Sequence, residues 1–235
     1  MSPNRGLRRR PLVPFTSSMS FPRPLLATLA LLTASLALAA PEKWTAAIDK
    51  FTQADATNPP PKDGVVFIGS SSIVKWTSLE QDFPGVKVIN RGFGGSELAD
   101  SAFYVDRVAI PYRPRVVVLY AGDNDLHAGK TPETVLADFK IFSGKIHAAL
   151  PTTRIVFIAI KPSPLRWAIK DKVVAANALI AAECKKDKRL VYADVYTPML
   201  DIKGEPRPEL FVKDMLHMNE TGYAIWKPIV APLLK

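Results

Sequence analysis

The chain contains one cysteine and three histidines in 235 residues. A lone Cys184 cannot close an internal disulfide, so the fold has to be held by its apolar core even in an oxidising compartment. The stretch Ala181–Cys184 reads as half-buried helix, a poor setting for a nucleophilic thiol. Acidic residues are absent from positions 1–39, which carry Arg5, Arg8, Arg9, Arg10 and Arg23. The net charge of +9 is therefore concentrated at one end, and the remainder holds 26 basic against 22 acidic residues. A dense basic stripe, as nucleic-acid binding requires, is also missing. The one run of that kind, Lys185–Arg189, is interrupted by Asp187 and reads as a solvated surface. The longest apolar run, Leu25–Ala39, is about 15 residues where a membrane-spanning helix needs about 20. With 48% hydrophobic and 23% charged residues the composition is that of one globular domain.

What is present at the N-terminus is a targeting pattern. Leu25–Ala39 (LLATLALLTASLALA) follows arginines and ends in Ala37-Leu38-Ala39, the small–x–small pattern of a signal-peptidase site. Cleavage after Ala39 sets Pro41 at the second mature position, and Met19, opening MSFPRP, is an alternative start. No cysteine follows the run, which argues against a lipid anchor; an uncleaved anchor is the competing reading. The expected organisation is a signal peptide over 1–39, an N-terminal helix and linker over 40–64, and one domain over 65–235. The expected location is exported, periplasmic or secreted, with no stable membrane anchor after cleavage.

Past the linker Asn58–Gly64, short β-branched runs recur at Val65–Ile68, Val86–Ile89, Val116–Tyr120, Ile155–Ile160 and Leu190–Ala193. Such runs are the mark of strands buried on both faces. Helical patterns alternate with them over 131–150, 165–187 and 219–234. In the first, Thr131 can cap, Pro132 suits the first helical position, and Val135, Phe139, Phe142, Ile146 and Leu150 share one face. Alternation of this kind predicts a five-stranded parallel sheet covered on both faces. Right-handed crossovers bring every strand's carboxyl end to one edge, where ligands bind near the switch in strand order.

Chemistry-bearing residues do follow the strand ends. After the first strand comes Gly69-Ser70-Ser71-Ser72; glycine permits a sharp exit, and a serine beginning the next helix lies among unpaired N–H groups. A simple helix cap is the plainer reading of those serines, and the G-x-S-x-G elbow of α/β-hydrolases is absent. After the second strand, Asn90-Arg91-Gly92-Phe93-Gly94-Gly95-Ser96 has three glycines in four positions, implying unusual dihedrals or a close backbone approach. Glu97 stands where the dinucleotide motif G-x-G-x-x-G needs its last glycine. After the third, Gly122-Asp123-Asn124-Asp125 offers an amide able to donate to a developing negative charge, or merely an Asx-stabilised loop. Before the last helix lies Asp214-Met215-Leu216-His217. An Asp three residues before a His can hold its imidazole in one tautomer. His147 lies in a lysine-bearing helix and His127 beyond the Gly122 loop, neither with a carboxylate at this spacing.

Taken in order, the four segments resemble the four signature blocks of the SGNH (GDSL-type) hydrolase family. The resemblance spans Val65 to about Pro228 and implies a flavodoxin-like, three-layer α/β/α fold. It implies Ser71 as nucleophile, His217 and Asp214 as acid–base pair, and an oxyanion hole from the N–H groups of Ser71 and Gly95 and the amide of Asn124. Ser70 departs from the pattern, since the family usually has Asp before the nucleophile. The implied activity is hydrolysis of acyl esters, short-chain ones such as acetyl esters, on a small molecule or carbohydrate. The implied reaction needs neither metal nor organic cofactor. Arg91, Asp123 and Trp167 are candidate substrate contacts, although packing at a helix start is the stronger reading of Trp167. Three rival readings compete: a metal site of Asp123, Asp125, Asp214 and His217; acyl transfer to a sugar hydroxyl; and a non-catalytic carbohydrate-binding protein. Oligomeric state is not legible.

Overall fold

A computed structural model describes Met1 and residues 42–235. The targeting pattern at Leu25–Ala39, its cleavage site and the alternative start at Met19 lie outside the described residues. Five parallel strands form the sheet: β1 (Val65–Gly69), β2 (Val88–Gly92), β3 (Val116–Tyr120), β4 (Arg154–Ile158) and β5 (Leu190–Ala193). Their order is β2-β1-β3-β4-β5, with Val65 in register with both Val88 and Val116. The direction of chain progression reverses at β1, so the crevice between the ends of β1 and β3 is the switch point.

Strand alternation divides the core in two. Val66 and Ile68 of β1 face α1 (Glu42–Thr57), α4 (Leu98–Val108), α6 (Pro132–Ala149) and α7 (Lys170–Cys184), meeting Ile48, Val105, Phe139 and Ile180 in one cluster. Val65 and Phe67 face the opposite cluster, with Ile73 of α2 (Ser71–Val74), Leu79 of α3 (Leu79–Asp82) and Trp226 of α8 (Glu220–Val230). A short α5 (Asp123–His127) follows β3. The three-layer arrangement and the all-parallel sheet are as the alternating pattern requires. Among the described residues no helix is long and apolar enough to cross a membrane.

Several boundaries differ from the sequence reading. The first helix, Glu42–Thr57, takes up most of the stretch read as helix and linker and packs Ile48 into the core, so it is part of the domain's structure. β2 begins two residues late because Pro84 and Gly85, the latter with φ +78°, turn the chain first. It continues through Asn90–Gly92, which pair with Phe67–Gly69. The helix expected from 165 starts at Lys170, after a tight 3-10 turn over Pro164–Ile169 in which Arg166 leaves helical dihedrals. His147 is half-buried, with a ring nitrogen 3.1 Å from the Thr153 carbonyl oxygen.

Candidate active site

Gly69 ends β1 with φ +137°, and a Cβ there would lie 1.9 Å from the Tyr120 carbonyl oxygen. Only glycine fits between the two strands at this exit. The chain therefore turns at once into α2, whose first residue is Ser71. The N–H of a first helical residue has no intrahelical acceptor. The second segment wraps against it: Gly92 is so close to α2 that a Cβ would meet the Val74 nitrogen at 2.7 Å, and a Cβ on Gly94 would touch that of Ser71 at 3.8 Å. Gly95 adopts φ +79° beneath Trp44 of α1. Both effects expected of a glycine cluster, close approach and unusual dihedrals, are present.

The glycine loop is clamped from three sides. Asn124 Nδ2 donates to the Ser96 carbonyl at 2.9 Å. The buried carboxylate of Asp125 accepts from the Leu98 N–H at 3.0 and 3.1 Å. Asp100 accepts from the Glu97 N–H at 2.8 Å as one half of a capping box. The loops after β2 and β3 are thus one hydrogen-bonded unit beside Ser71.

His217 arrives from the opposite end of the chain. Its loop turns at Met215, a non-glycine residue at φ +54°, and Asp214 Oδ1 accepts the N–H groups of Leu216 and His217 at 2.9 Å each. α8 follows, capped by Asn219, and its Tyr223 hydroxyl donates to the Ser72 carbonyl at 2.9 Å. Trp76, Tyr223 and Trp226 pack ring against ring under this bond, with centroids 5.1–6.0 Å apart. The helix after the imidazole is thereby fastened to the helix that carries the hydroxyl.

The result is a continuous chain of three side chains. Ser71 Oγ lies 2.9 Å from His217 Nε2, and His217 Nδ1 lies 2.6 Å from Asp214 Oδ2. An ionised carboxylate only accepts, so Nδ1–H donates to Asp214 and Nε2 is left to accept from the Ser71 hydroxyl. The slight burial of Asp214 pushes its carboxyl upward, but the imidazole and two backbone N–H groups outweigh this and hold it well below the usual carboxylate range.

Two expected substrate contacts take partners within the protein. Arg91 shares strand parity with Ile89 and points under α1 and α4, where its guanidinium binds Asp55 and, at 2.9 Å, the Tyr112 hydroxyl. It serves the fold. Asp123 is turned inward, 3.3 Å from Lys161 Nζ and 3.1 Å from Arg166 Nη1. Burial raises its carboxyl, yet these two cations bring it below the ordinary value. Trp167 is half-buried at the rim of the small cavity that Asp123, Lys161 and Arg166 line, with Lys170 over its ring. The four residues weighed as a metal site do not converge: Asp125 faces Leu98 and Lys130, Asp123 faces Lys161 and Arg166. Among the described residues no three His, Cys, Asp or Glu side chains are grouped to hold an ion. Sequence reasoning sets the loop Lys161–Trp167 beside the site but gives no role to Arg166, whose Nη2 donates to Asn124 Oδ1 at 3.0 Å. It gives none to the buried Lys161 either. A cation directly after a buried strand was the available signal.

Residues 68–225, more than half of the chain, match the model of the GDSL-like Lipase/Acylhydrolase family. The chain belongs to this family. It is accordingly a carboxylic ester hydrolase by family, and its fold is that of solved relatives. A GDSL-like lipase from Bacteroides thetaiotaomicron superposes with a TM-score of 0.69 at 22% identity, covering 80% of this chain and 96% of that one. A family 3 carbohydrate esterase from Clostridium thermocellum gives 0.59 at 16% identity over 72% and 96%. A variant of an acetyl-xylooligosaccharide esterase from Geobacillus stearmophilus gives 0.58 at 12% over 74% and 95%. No curated protein matches the chain. Ser70, the departure from the family pattern, is buried, and among the described residues its hydroxyl has no hydrogen-bond partner.

Proposed function

We propose that this family member hydrolyses short acyl esters, acetyl esters of carbohydrates or other small alcohols among them, with Ser71 as nucleophile, His217 as general base and Asp214 as the residue that orients it. The single observation carrying this reading is the unbroken relay of 2.9 and 2.6 Å contacts from Ser71 through His217 to Asp214. Ser71 Oγ attacks the carbonyl carbon as its proton passes to His217 Nε2. The tetrahedral oxyanion is held by the N–H groups of Ser71 and Gly95 and by Asn124 Nδ2. His217 then protonates the departing alkoxide, and water, deprotonated by the same imidazole, releases the acid and restores Ser71. The short acyl preference is supported by a half-buried Ser71 and an exposed Asp214, with no long insertion between the strands to cover them. The carbohydrate alcohol is supported by two structural relatives, an acetyl-xylooligosaccharide esterase and a family 3 carbohydrate esterase. Export, read from residues 25–39, suits an enzyme that meets such esters outside the cytoplasm.

A series of p-nitrophenyl esters of increasing chain length tests the reading directly: turnover is expected to be highest for acetate and butyrate and to fall for long chains. A flat or inverted profile would remove the short-chain assignment. Asn124→Ala is expected to lower kcat by about 10²–10³-fold, the ordinary effect of losing one oxyanion donor. Full turnover in that variant removes the residue from the oxyanion site.

The thiol offers a second check. Burial in α7, with Glu183 adding its charge, pushes the Cys184 thiol up to about 12. Because the thiolate is the reactive form, iodoacetamide near pH 8 is expected to leave both activity and mass of the native protein unchanged. A serine-directed phosphonate is expected to abolish activity and add its mass at Ser71. Inactivation by the thiol reagent alone would reverse the assignment of nucleophile.

A further inference from the structure

We propose that Arg166 is a positioning residue for the oxyanion site, locking the Asn124 amide in one orientation. This deepens the serine-esterase reading and rests on it. Asn124 is held at both ends, Oδ1 by Arg166 Nη2 at 3.0 Å and Nδ2 by the Ser96 carbonyl at 2.9 Å. A guanidinium can only donate and a carbonyl can only accept. Turning the amide by 180° would set N–H against the cation and oxygen against oxygen, so one orientation survives. In it Nδ2 keeps a second hydrogen that Ser96 does not use. The amide torsion of Asn is intrinsically broad, and a donor for an oxyanion is effective only when pre-aimed.

The ion pairs around Arg166 point the same way. Arg166 and Lys161 both bind Asp123 Oδ2, at 3.1 and 3.3 Å, and their side chains are 12%, 1% and 10% exposed for Arg166, Lys161 and Asp123. Lys161, which also donates to the Tyr120 hydroxyl at 3.0 Å, already neutralises Asp123. Arg166 is the second cation on that carboxylate, Asp214 also lies within electrostatic reach of Lys161, and the ion pair fixes the guanidinium beside Asn124. The nearest polar side chain it engages beyond Asp123 is Asn124. Its turn is fixed in place as well, since the Leu165 N–H donates to the Met215 carbonyl at 3.0 Å, joining it to the loop of Asp214 and His217.

The test is a double-variant cycle in the full-length chain on p-nitrophenyl acetate, with Arg166→Met and Asn124→Ala made singly and together. Removing Arg166 leaves the Lys161–Asp123 pair intact. Arg166→Met is expected to lower kcat by about 10–100-fold, less than loss of the donor itself, with KM nearly unchanged. In the Asn124→Ala background the same substitution is expected to change kcat by less than about threefold, because no amide remains to be aimed. Arg166→Lys, which keeps a donor and the charge, is expected to recover part of the loss. If the methionine variant does not fold, the lysine variant carries the cycle, with a smaller loss that again disappears without Asn124. Losses that multiply in the double variant, or a raised KM at constant kcat, overturn the proposal. Those results in a wild type that hydrolyses esters and takes a phosphonate on Ser71 sink only the role of Arg166; a wild type that does neither sinks the esterase reading.

Discussion

Ser71→Ala is expected to lower kcat on a p-nitrophenyl ester by about 10⁶-fold, leaving only what binding and the oxyanion donors supply. The size follows from the relay being one unit. Without the hydroxyl, the His217 imidazole has no covalent path to serve and can at best activate water from a position built for Ser71 Oγ. Binding is expected to survive, because Ser71→Ala removes one oxygen from a helix start whose backbone is fixed by the Gly69 exit and the Tyr223–Ser72 bond. Steady-state kinetics with a phosphonate-labelling control measures it. A variant retaining more than about a thousandth of wild-type turnover, far above the loss expected for a nucleophile, would falsify the assignment of Ser71.

Asp214→Asn is expected to cost about 10⁴-fold in kcat with little change in fold. The reason lies in hydrogen-bond polarity. Asp214 Oδ2 accepts from His217 Nδ1 at 2.6 Å and thereby leaves Nε2 bare toward Ser71. An asparagine can present its amide N–H to Nδ1 instead, moving the ring proton to Nε2, where it faces the Ser71 oxygen and blocks proton acceptance. Oδ1 accepts the N–H groups of Leu216 and His217, and the asparagine carbonyl can keep those two bonds. A pH series of kcat on the variant, beside its melting temperature, separates the effects. A loss of activity accompanied by an equal loss of folded protein would mean that Asp214 shapes the turn and does not set the tautomer.

The core of the fold was legible because buried parallel strands leave an unambiguous pattern. Val65–Ile68 and Val116–Tyr120 are apolar on both parities, as a strand covered by helices on both faces must be. The relay was legible for a different reason: Asp214 and His217 are near in sequence, and Ser71 directly follows a strand. Arg166 was read as part of a helix, and the turn that aims it inward appears only when its neighbours are in place.

Arg91 shows the same division from the other side. A polar residue at a strand end looked like a substrate contact, although its parity with Ile89 already points it into the helical layer. What holds it there is Asp55 from α1, a helix read beforehand as a lead-in preceding the domain.

Sequence alone therefore determined the strands, the layered class and the order of the four site segments, and it named three side chains, Ser71, His217 and Asp214, that the fold brings into contact, because these depend on local periodicity and on loops that must follow strand ends. Tertiary structure decided which partner each charged side chain takes. Arg91 and Asp55 stand 36 residues apart, and Arg166 and Asn124 stand 42 apart. A long cationic side chain takes whichever acceptor packing brings within reach, and that choice has no local signature in the chain.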